Sequence, residues 1–395
     1  MAGPLKGLKV LDFTTLLPGP FATLILADLG AEVLKISSGA RPDLLTTIKP
    51  FLADSSLSAV HAYLARGKRS MALNLKHPAA IEVIHRLLQY YDILIEQSRP
   101  GVMKKFGLDY QSLERVNPRL IYCSITGYGQ NSPLAQRAGH DINYLARSGV
   151  MSYSGKSKSG PSLYGMQIAD AASGSNNAVI AILAAVISRI ASGQGQHLDI
   201  SMTDGVISFN AIVGASFLVD GKQPRPEGWM LNGGSLYDFY KTSDGHYLSV
   251  GCVEPKFFEA FCEVIERKDL KPGGINPENL EHVKDEIRTI IQSKSRDEWM
   301  ELFNKKDACV EPVLSISEAL ENEHAKTREL IVEVEGPGKQ KVGQLANPIK
   351  FSETKQEYRF TGVPLGTHTQ DVMKELGYDP EEISDLKKSN LFSAE

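Results

Sequence analysis

The sequence predicts an α/β protein with two domains, a large one built on a parallel β-sheet and a smaller α+β one. Strand and helix patterns alternate through the first third of the 395 residues, which is typical of βαβ units. The segment 221–232 combines prolines, glycines and charges and is predicted to be a linker. Beyond it the pattern changes to a hairpin followed by helices. The chain therefore divides into a large domain at 1–220, the linker, and a small domain at 233–325.

The first part of the chain predicts a Rossmann-like arrangement of parallel strands. Runs rich in apolar and β-branched residues predict strands at 8–13, 31–36, 92–98 and 118–129. Helical patterns lie at 21–30 and 77–91, the second with a proline in its first turn. Sheets of this kind bind ligands at the carboxyl ends of their strands. The turns expected at that edge are 14–20, 97–101 and 126–140.

The rest of the chain predicts one long apolar helix, a hairpin and several shorter elements. The stretch 169–193 has a helical pattern, and 195–219 predicts a strand followed by a helix. Alternation around the turn "TSDGH" predicts a hairpin over 235–253. Further helices are predicted at 255–266, 279–293, 296–305 and 369–376, and a strand-then-helix at 308–322.

Composition argues for a soluble globular protein of the cytoplasm. The net charge of −4 gives no support for wholesale nucleic-acid binding, which usually shows a basic domain. The apolar run "NNAVIAILAAVISRIAS" extends over about fifteen residues, short for a membrane span, and the first residues show no signal-peptide pattern. The four cysteines form no metal-binding pattern and are expected to be buried, reduced thiols.

Three short motifs contain candidate catalytic residues, and each also has a structural interpretation. His140 and Asp141 lie in "RAGHDINY", Asp170 lies in "IADAASGSNNA", and Glu254 lies in "SVGCVEPKFF". A lone loop histidine is more often structural than catalytic. Each of the three carboxylates could instead stand at the start of a helix, Asp141 as a cap and Glu254 just before a first-turn proline.

Basic residues in the first third could bind a phosphorylated small molecule. Their structural alternative is an ordinary solvated surface. They are Arg41, Lys68, Arg69, Lys76, Arg99, Lys104 and Lys105.

Taken together, the motifs resemble the family III CoA-transferase superfamily over nearly the whole chain. The opening strand, turn and helix of that family are similar to "GPLKGLKVLDFTTLLPGPFATLILADLGAEVLKI". Further similar stretches follow in the family's order: "RGKRSMALNLK", "EQSRPGVMKKFGLDY", "GQGQHLDISMTDG" and "DACVEPVL". The resemblance implies that residues 326–395 return to the large domain, and that the chain forms an interlocked homodimer.

Within the superfamily the chain is most similar to the α-methylacyl-CoA racemase branch. That branch has the histidine of "AGHDINY", the helix-start aspartate and the glutamate of "VGCVEPKF", here His140, Asp170 and Glu254. The transferases generally lack the histidine. The resemblance implies an isomerase that inverts C2 of 2-methyl-branched or other 2-alkyl acyl-CoA thioesters. The acyl chain itself stays open, from simple 2-methylacyl to sterol side chain or substituted succinyl.

The chemistry of such an inversion suits these residue types. A proton must leave one face of C2 and another must arrive on the opposite face, so an acid and a base must flank the carbon. Histidine titrates near neutral pH, at about 6.5 when unperturbed, and a carboxylate with a raised pKa can complete the pair. We expect His140 and Asp170 to be this pair. Glu254 of the other subunit would orient His140, Asp141 would support the loop, and the N-terminus of the helix at 171–189 would stabilise the enolate oxygen.

The resemblance also implies contacts to CoA, which is part of the substrate, and requires no metal or redox cofactor. The implied CoA-binding residues are Arg41, Leu73, Lys76, Arg99, Lys105 and Tyr144. Ser38 stands where the family often has an arginine, and Arg41 is the nearby candidate to replace it.

Two alternatives stay open. In a family III CoA-transferase, Asp170 would be a nucleophile that takes the acyl group as a mixed anhydride. In a non-catalytic acyl-CoA binding protein, the three motif residues would have no chemical role.

Overall fold

The computed structural model describes residues 3–39 and 42–392. The chain forms two compact units, each made of separate stretches of sequence. The first unit comprises Met1–Leu145, Met166–Ser208 and His324–Glu395, and the second comprises Ala146–Gly165 and Phe209–Glu323. These units divide the chain at other residues than the predicted boundary at 220, because residues 146–165 and 209–220 pack with the second unit. The segment 221–232, predicted to be a linker, lies inside the second unit rather than between the two units. Composition could not show which apolar segment packs with which core.

A six-stranded parallel sheet is the centre of the first unit, in the order β3-β2-β1-β4-β5-β6. Its strands are β1 (Lys9–Asp12), β2 (Glu32–Ser37), β3 (Lys68–Ala72), β4 (Ile93–Glu96), β5 (Ile121–Thr126) and β6 (Gln196–Ser201). The α/β class and the parallel sheet are thus confirmed, and the predicted strands lie within a few residues of those observed.

The helices that accompany this sheet include short ones at the ends of strands. In chain order they are α1 (Pro18–Asp28), α2 (Ala59–Leu64), α3 (Ala80–Leu87), α4 (Val102–Lys105), α5 (Tyr110–Leu113), α6 (Asp141–Arg147), α7 (Asn177–Ser192) and α8 (Met202–Ser208). One face of the sheet contributes apolar residues to a core shared with α3 and with the C-terminal helices described below.

A buried charge network joins the first three strands to the turn that enters α1. Asp12 is fully buried, accepts hydrogen bonds from Thr14 and Thr23, and lies 3.4 Å from the Lys68 ammonium. Lys35 donates to the Thr14 carbonyl at 2.5 Å. Burial alone would raise the pKa of Asp12, but the two lysines and the hydroxyl donors lower it to about 2. The network holds an ionised carboxylate inside the protein.

The helix at 169–192 is longer than its apolar run suggested. Residues Ala169–Asn176 form a π-helical segment that continues directly into α7. The resulting helix has 24 residues and is long and apolar enough to cross a membrane by length and composition. The argument from length against a membrane span is therefore wrong. Only 39% of its apolar window is buried, and the exposed face carries Ile180, Ile187 and Ile190.

The second unit is built on a three-stranded antiparallel sheet, β7-β8-β9. Its strands are β7 (Asp238–Lys241), β8 (Tyr247–Val250) and β9 (Val310–Pro312), and its helices are α9 (Ala211–Asp220), α10 (Pro255–Val264), α11 (Leu280–Ile291), α12 (Arg296–Phe303) and α13 (Ile316–Glu321). The predicted hairpin and helices are present. Cys309, expected to be a buried thiol, is exposed at the start of β9, whereas the other three cysteines are buried.

The C-terminal segment contains a β-hairpin and helices, and of these the sequence predicted only the helix at 369–376. An antiparallel hairpin pairs β10 (Ile331–Glu335) with β11 (Lys341–Leu345), after the short helix α14 (Glu323–Thr327). Two further helices, α15 (Thr369–Glu375) and α16 (Pro380–Lys388), end the described chain. Only α15 was expected. Val372 and Ile383 of these helices belong to the same core as Leu11 and Leu34 of the sheet.

We predict that Lys68→Met destabilises the protein by about 3–5 kcal/mol, because it leaves a buried carboxylate without one of its two cations. Urea unfolding would measure the free energy. Lys326→Met, which removes an exposed lysine from α14, is the control and should change stability by less than about 0.5 kcal/mol. Equal effects of the two substitutions would contradict a stabilising role for the buried pair.

Candidate active site

Two candidate catalytic residues of the first unit, His140 and Asp170, line one cavity of about 470 Å³, whereas the third, Asp141, does not line it. Its walls come from the turn after β1, the turn after β4, the loop after β5 and the start of the helix at 169–192. The lining includes Leu16, Arg99, His140, Tyr144, Asp170 and Met202. These are the turns predicted to form the ligand-binding edge, since the carboxyl ends of parallel strands meet there.

His140 is held at the start of α6 by its neighbours in the motif. Its backbone N–H donates to the Asn143 side chain at 3.0 Å, and its carbonyl accepts from the backbone N–H groups of Asn143 and Tyr144. The imidazole itself is exposed on the cavity wall, with no hydrogen bond to the rest of the described chain. The backbone is therefore fixed while the ring stays available to a ligand.

Two glycines allow Tyr144 to pack beneath this loop. The Tyr144 hydroxyl donates to the Gly139 carbonyl at 2.6 Å, and its ring stands edge-on to Tyr128. A β-carbon at Gly127 or at Gly139 would lie 2.4 Å or 2.6 Å from the Tyr144 ring, too close for any side chain. Within the "GHDINY" motif, the packing of Tyr144 therefore requires a glycine at position 139.

The structural alternative for Asp170 was a capping role at the start of its helix, and the structure does not show that role. Asp170 is the second residue of the π-helical segment, and its backbone N–H donates to the Asp141 carboxylate at 3.0 Å. Asp141 therefore caps the helix of Asp170 from the first turn of α6. The Asp170 side chain stays in the cavity, where burial, and to a smaller extent the Asp141 charge, raises its pKa to about 7.

The start of this helix was expected to stabilise an enolate oxygen. Helical hydrogen bonding begins at Ala169 rather than at 171. The first donors are already used within the protein, since the Asp170 N–H binds Asp141 and the Ala171 N–H binds the Gln167 carbonyl. An oxyanion at either of these two N–H groups would have to displace the acceptor that the group now binds.

A second cavity, of about 500 Å³, continues from the first along the strand ends. Thr15 and Ser98 line both cavities, so the two cavities adjoin at these residues. Leu73 and Lys76 line the second cavity, as does Ser38, the residue that departs from the family pattern. Thr15 and Ser98 were not singled out from the sequence, although both lie in the turns predicted to bind ligand.

The remaining predicted contacts lie elsewhere. Lys105 is exposed at the end of α4 and lines neither cavity. Arg41 lies outside the described residues. Across residues 3–39 and 42–392, no three histidine, cysteine or acidic side chains are arranged to hold a metal ion.

Glu254 belongs to the second unit, whereas His140 and Asp170 belong to the first. It directly precedes α10, and Pro255 occupies the first position of that helix. Its side chain makes no capping hydrogen bond and is exposed. The helix-start interpretation therefore explains the backbone at Glu254 but leaves its carboxylate without a structural role in the helix.

Comparisons with known proteins agree on one family. The family model described as CoA-transferase family III matches residues 5–369. The α-methylacyl-CoA racemase of Homo sapiens is 32% identical over 394 residues, which cover 99% of this chain and 98% of the racemase. The succinyl-CoA:glutarate CoA-transferase of Homo sapiens is 31% identical and covers 97% of this chain and 88% of the transferase. The solved structure of a CAIB/BAIF family protein from Brucella suis matches 95% of this chain and all of its own, with a TM-score of 0.83 and 28% identity.

We predict that Asp141→Asn lowers the pKa of Asp170 below about 7 while leaving it above the ordinary value of 3.8. The amide oxygen can still accept the Asp170 N–H, but the negative charge is lost and burial remains. Carboxyl-carbon NMR titration of labelled aspartates, assigned with Asp170→Asn, would measure the shift. An unchanged pKa would contradict the contribution of the Asp141 charge.

Proposed function

Because the chain belongs to CoA-transferase family III, we propose that it is a racemase or epimerase that inverts the C2 stereocentre of 2-methyl-branched or other 2-alkyl acyl-CoA thioesters. The observation that carries the proposal is that His140 and Asp170 line one cavity and differ in environment. The imidazole is exposed on its wall, and the carboxyl is half-buried with a raised pKa. Two groups of this kind are what a two-sided proton transfer needs.

The proposed reaction proceeds in two proton transfers through an enolate. In one direction the neutral His140 imidazole removes the C2 proton, and the electron pair moves into the thioester carbonyl. The protonated Asp170 carboxyl then delivers a proton to the opposite face of C2, and the carbonyl re-forms. In the other direction Asp170 is the base and His140 the acid. These steps need no metal or redox cofactor, and the acyl-CoA is the only reactant.

The environment of Asp170 suits both of these directions. With a pKa of about 7, the carboxyl is present in both protonation states near neutral pH. Asp141 contributes to this pKa and also holds the Asp170 backbone, so we assign Asp141 a positioning role. The first-unit cavity thus contains a carboxyl that can act as acid or base near neutral pH, beside a second proton-carrying side chain, His140.

The CoA moiety is proposed to occupy the second cavity and the rim of the first. Leu73 and Lys76 line the second cavity, and Arg99 and Tyr144 line the first. Lys105, exposed at the end of α4, is kept as a proposed phosphate contact, as is Arg41, which lies outside the described residues.

We further propose that the active protein is a homodimer in which Glu254 completes the site of the other subunit. The exposed, uncapped Glu254 carboxylate is available for such a contact. The apolar face of α7 supports association, because Ile180, Ile187 and Ile190 are 64%, 69% and 81% exposed in one chain. Aliphatic side chains repeated along one helix face favour burial against another protein surface. We also propose that the protein is cytoplasmic and does not contact a membrane.

The second candidate function is CoA transfer between carboxylic acids. The relatives include a succinyl-CoA:glutarate CoA-transferase at 31% identity, and Asp170 would serve that reaction as the nucleophile. Its carboxylate would attack the thioester carbonyl, and CoA would leave as the thiolate. The thiolate would attack the aspartyl carbonyl of the mixed anhydride, which releases the first acid as its carboxylate and leaves CoA on Asp170 as a thioester. The second carboxylate would attack that thioester, and the released thiolate would take the second acyl group from the new anhydride and free Asp170. This chemistry assigns no proton-transfer role to His140.

We predict that the protein exchanges the C2 proton of a 2-methylacyl-CoA with deuterium in D₂O and inverts its configuration with no second acid present. His140→Ala and Asp170→Ala should each lower the inversion rate at least 100-fold, because each removes one of the two proton carriers. Mass spectrometry would follow deuterium, and chiral chromatography of the hydrolysed acid would follow configuration.

The control for this assay is Asn143→Ala, which removes the residue that holds His140 while keeping both proton carriers. Its rate should lie between those of wild type and His140→Ala. CoA transfer to an added carboxylic acid, without C2 exchange and with His140→Ala unaffected, would establish the transferase instead.

We predict that Ile187→Asp combined with Ile190→Asp converts the dimer to a monomer and lowers activity at least tenfold. Charges on this face of α7 would oppose its burial between the two subunits. The site of each subunit would then lack the Glu254 that its partner contributes. Sedimentation analysis would give the mass, with Ile349→Asp, at another exposed isoleucine, as the control. A wild-type protein that is monomeric and sediments with lipid vesicles would instead make this face a membrane contact.

A further inference from the structure

A third cavity of the first unit lies apart from His140 and Asp170 and has a volume of about 430 Å³. It is lined by residues of β4, β5 and β6 and of the short helices α4 and α5. It shares only Arg99 and Pro100 with the catalytic cavity and only Met103 with the second cavity. The proposed reaction uses none of its floor.

The floor of this cavity is a connected row of polar side chains. The sheet register places Glu96 beside Ser124, and it places His197 beside Tyr122, two residues before Ser124 in β5. Ser124 hydrogen-bonds with the Glu96 carboxyl, and its hydroxyl lies 3.0 Å from His197 Nε2. The imidazole stacks on Tyr110, with ring centroids 5.6 Å apart. Each of these side chains thus contacts the next one in the row.

The charge of this floor is low at neutral pH. Glu96 is buried, and this burial raises its pKa to about 7 although Ser124 and the Ser98 N–H donate to it. The raised pKa leaves a larger part of the Glu96 carboxyl protonated at neutral pH than an ordinary carboxyl would be. An anion above it meets much less repulsion than above an ordinary carboxylate.

One buried group in the wall has a donor with no acceptor. The side-chain nitrogen Nε2 of Gln130 is buried and finds no hydrogen-bond partner among the described residues, while its backbone N–H donates to Asp199 at 2.9 Å. Buried amide donors are nearly always paired in folded proteins. The nitrogen is also closed to solvent, so a ligand oxygen in the cavity would pair with this donor once the Gln130 side chain turns toward it.

The rim carries two cations that are free of acidic partners. Neither the Arg99 guanidinium nor the Lys104 ammonium has a carboxylate within 4.0 Å in the described chain. Asp109 also lines the wall, but its carboxylate accepts from the Ser112 hydroxyl at 2.7 Å. Two cations and an open amide donor select a ligand with anionic oxygens.

We propose that this cavity is a second ligand site, for a small anion with carboxylate or phosphate oxygens, and that its occupation weakens thioester binding through Arg99. The anion accepts from Gln130 Nε2 and pairs with Lys104 and Arg99. Because the Arg99 guanidinium also lines the catalytic cavity, its pairing with the anion removes a proposed CoA contact there. The expected regulation is a higher KM for the thioester with kcat unchanged.

The binding half of this inference is tested by calorimetry on the whole protein, with sodium phosphate and sodium succinate as separate probes. We expect at least one probe to bind with a Kd below about 5 mM. Gln130→Leu and Lys104→Ala should each weaken that binding at least fivefold, and Lys326→Ala, which removes an exposed lysine elsewhere, should not. Binding of phosphate alone or of succinate alone would identify the ligand class.

The result that overturns the site is no binding of either probe up to 50 mM, on the order of ten times the expected Kd, or equal weakening by all three substitutions. Gln130→Leu removes a buried unpaired donor, so the folded state should survive, and its melting temperature without anion would show this.

The proposed effect of the anion on thioester binding rests on the proposed function, because it is measured as a change in the KM for the thioester. The anion that binds should raise KM at least threefold in wild type and leave Gln130→Leu unchanged. A KM that does not respond while calorimetry shows binding would overturn the coupling through Arg99. A protein without racemase or transferase activity would refute the proposed function and leave the calorimetric test of the site intact.

Discussion

The buried carboxylate of Asp12 is the constraint on which the rest of the first unit depends. A charge at that depth is tolerated only with nearby cations and donors, so β1, β2 and β3 must lie side by side to bring Lys35 and Lys68 to it. The same carboxylate also binds Thr14, which fixes the course of the turn into α1. That turn supplies one wall of the catalytic cavity, so an electrostatic requirement inside the sheet determines where ligand can bind at its edge.

This constraint explains what could and could not be predicted from the sequence. Strands β1, β2, β4 and β5 are short apolar runs and were predicted. Strand β3 has the sequence "KRSMA", which does not alternate between apolar and polar residues as a strand pattern would. Its lysine, Lys68, is buried as the partner of Asp12, whereas a lysine in a sequence is ordinarily expected to be exposed. The pairing that justifies its burial involves a residue 56 positions away. The π-helical turn at Ala169–Asn176 was likewise unpredictable, because it is made of small and polar residues whose hydrogen bonds depend on the packing of α1 and α8.

The residues of the candidate site also include some that the sequence indicated and some that it could not. Motif resemblance singled out His140 and Asp170, and their position in one cavity agrees with that expectation, while their roles stay predictions. The function of Asp141 could not be read from spacing, since it caps a helix that begins 28 residues later rather than its own. Thr15 and Ser98 carry no chemical signature in the sequence and are distinguished only by lining two adjoining cavities.

The two candidate reactions make opposite demands on the same carboxyl group. Burial that raises the pKa of Asp170 leaves part of it protonated, which serves an acid, and leaves the ionised part poorly solvated, which serves a nucleophile. The environment of Asp170 alone therefore does not separate the racemase from the transferase. The separation lies in the group on the other side of the reacting carbon. Nucleophilic attack at the carbonyl needs no second proton carrier, whereas inversion at C2 does, and the exposed imidazole of His140 on the same cavity wall is the group that favours inversion.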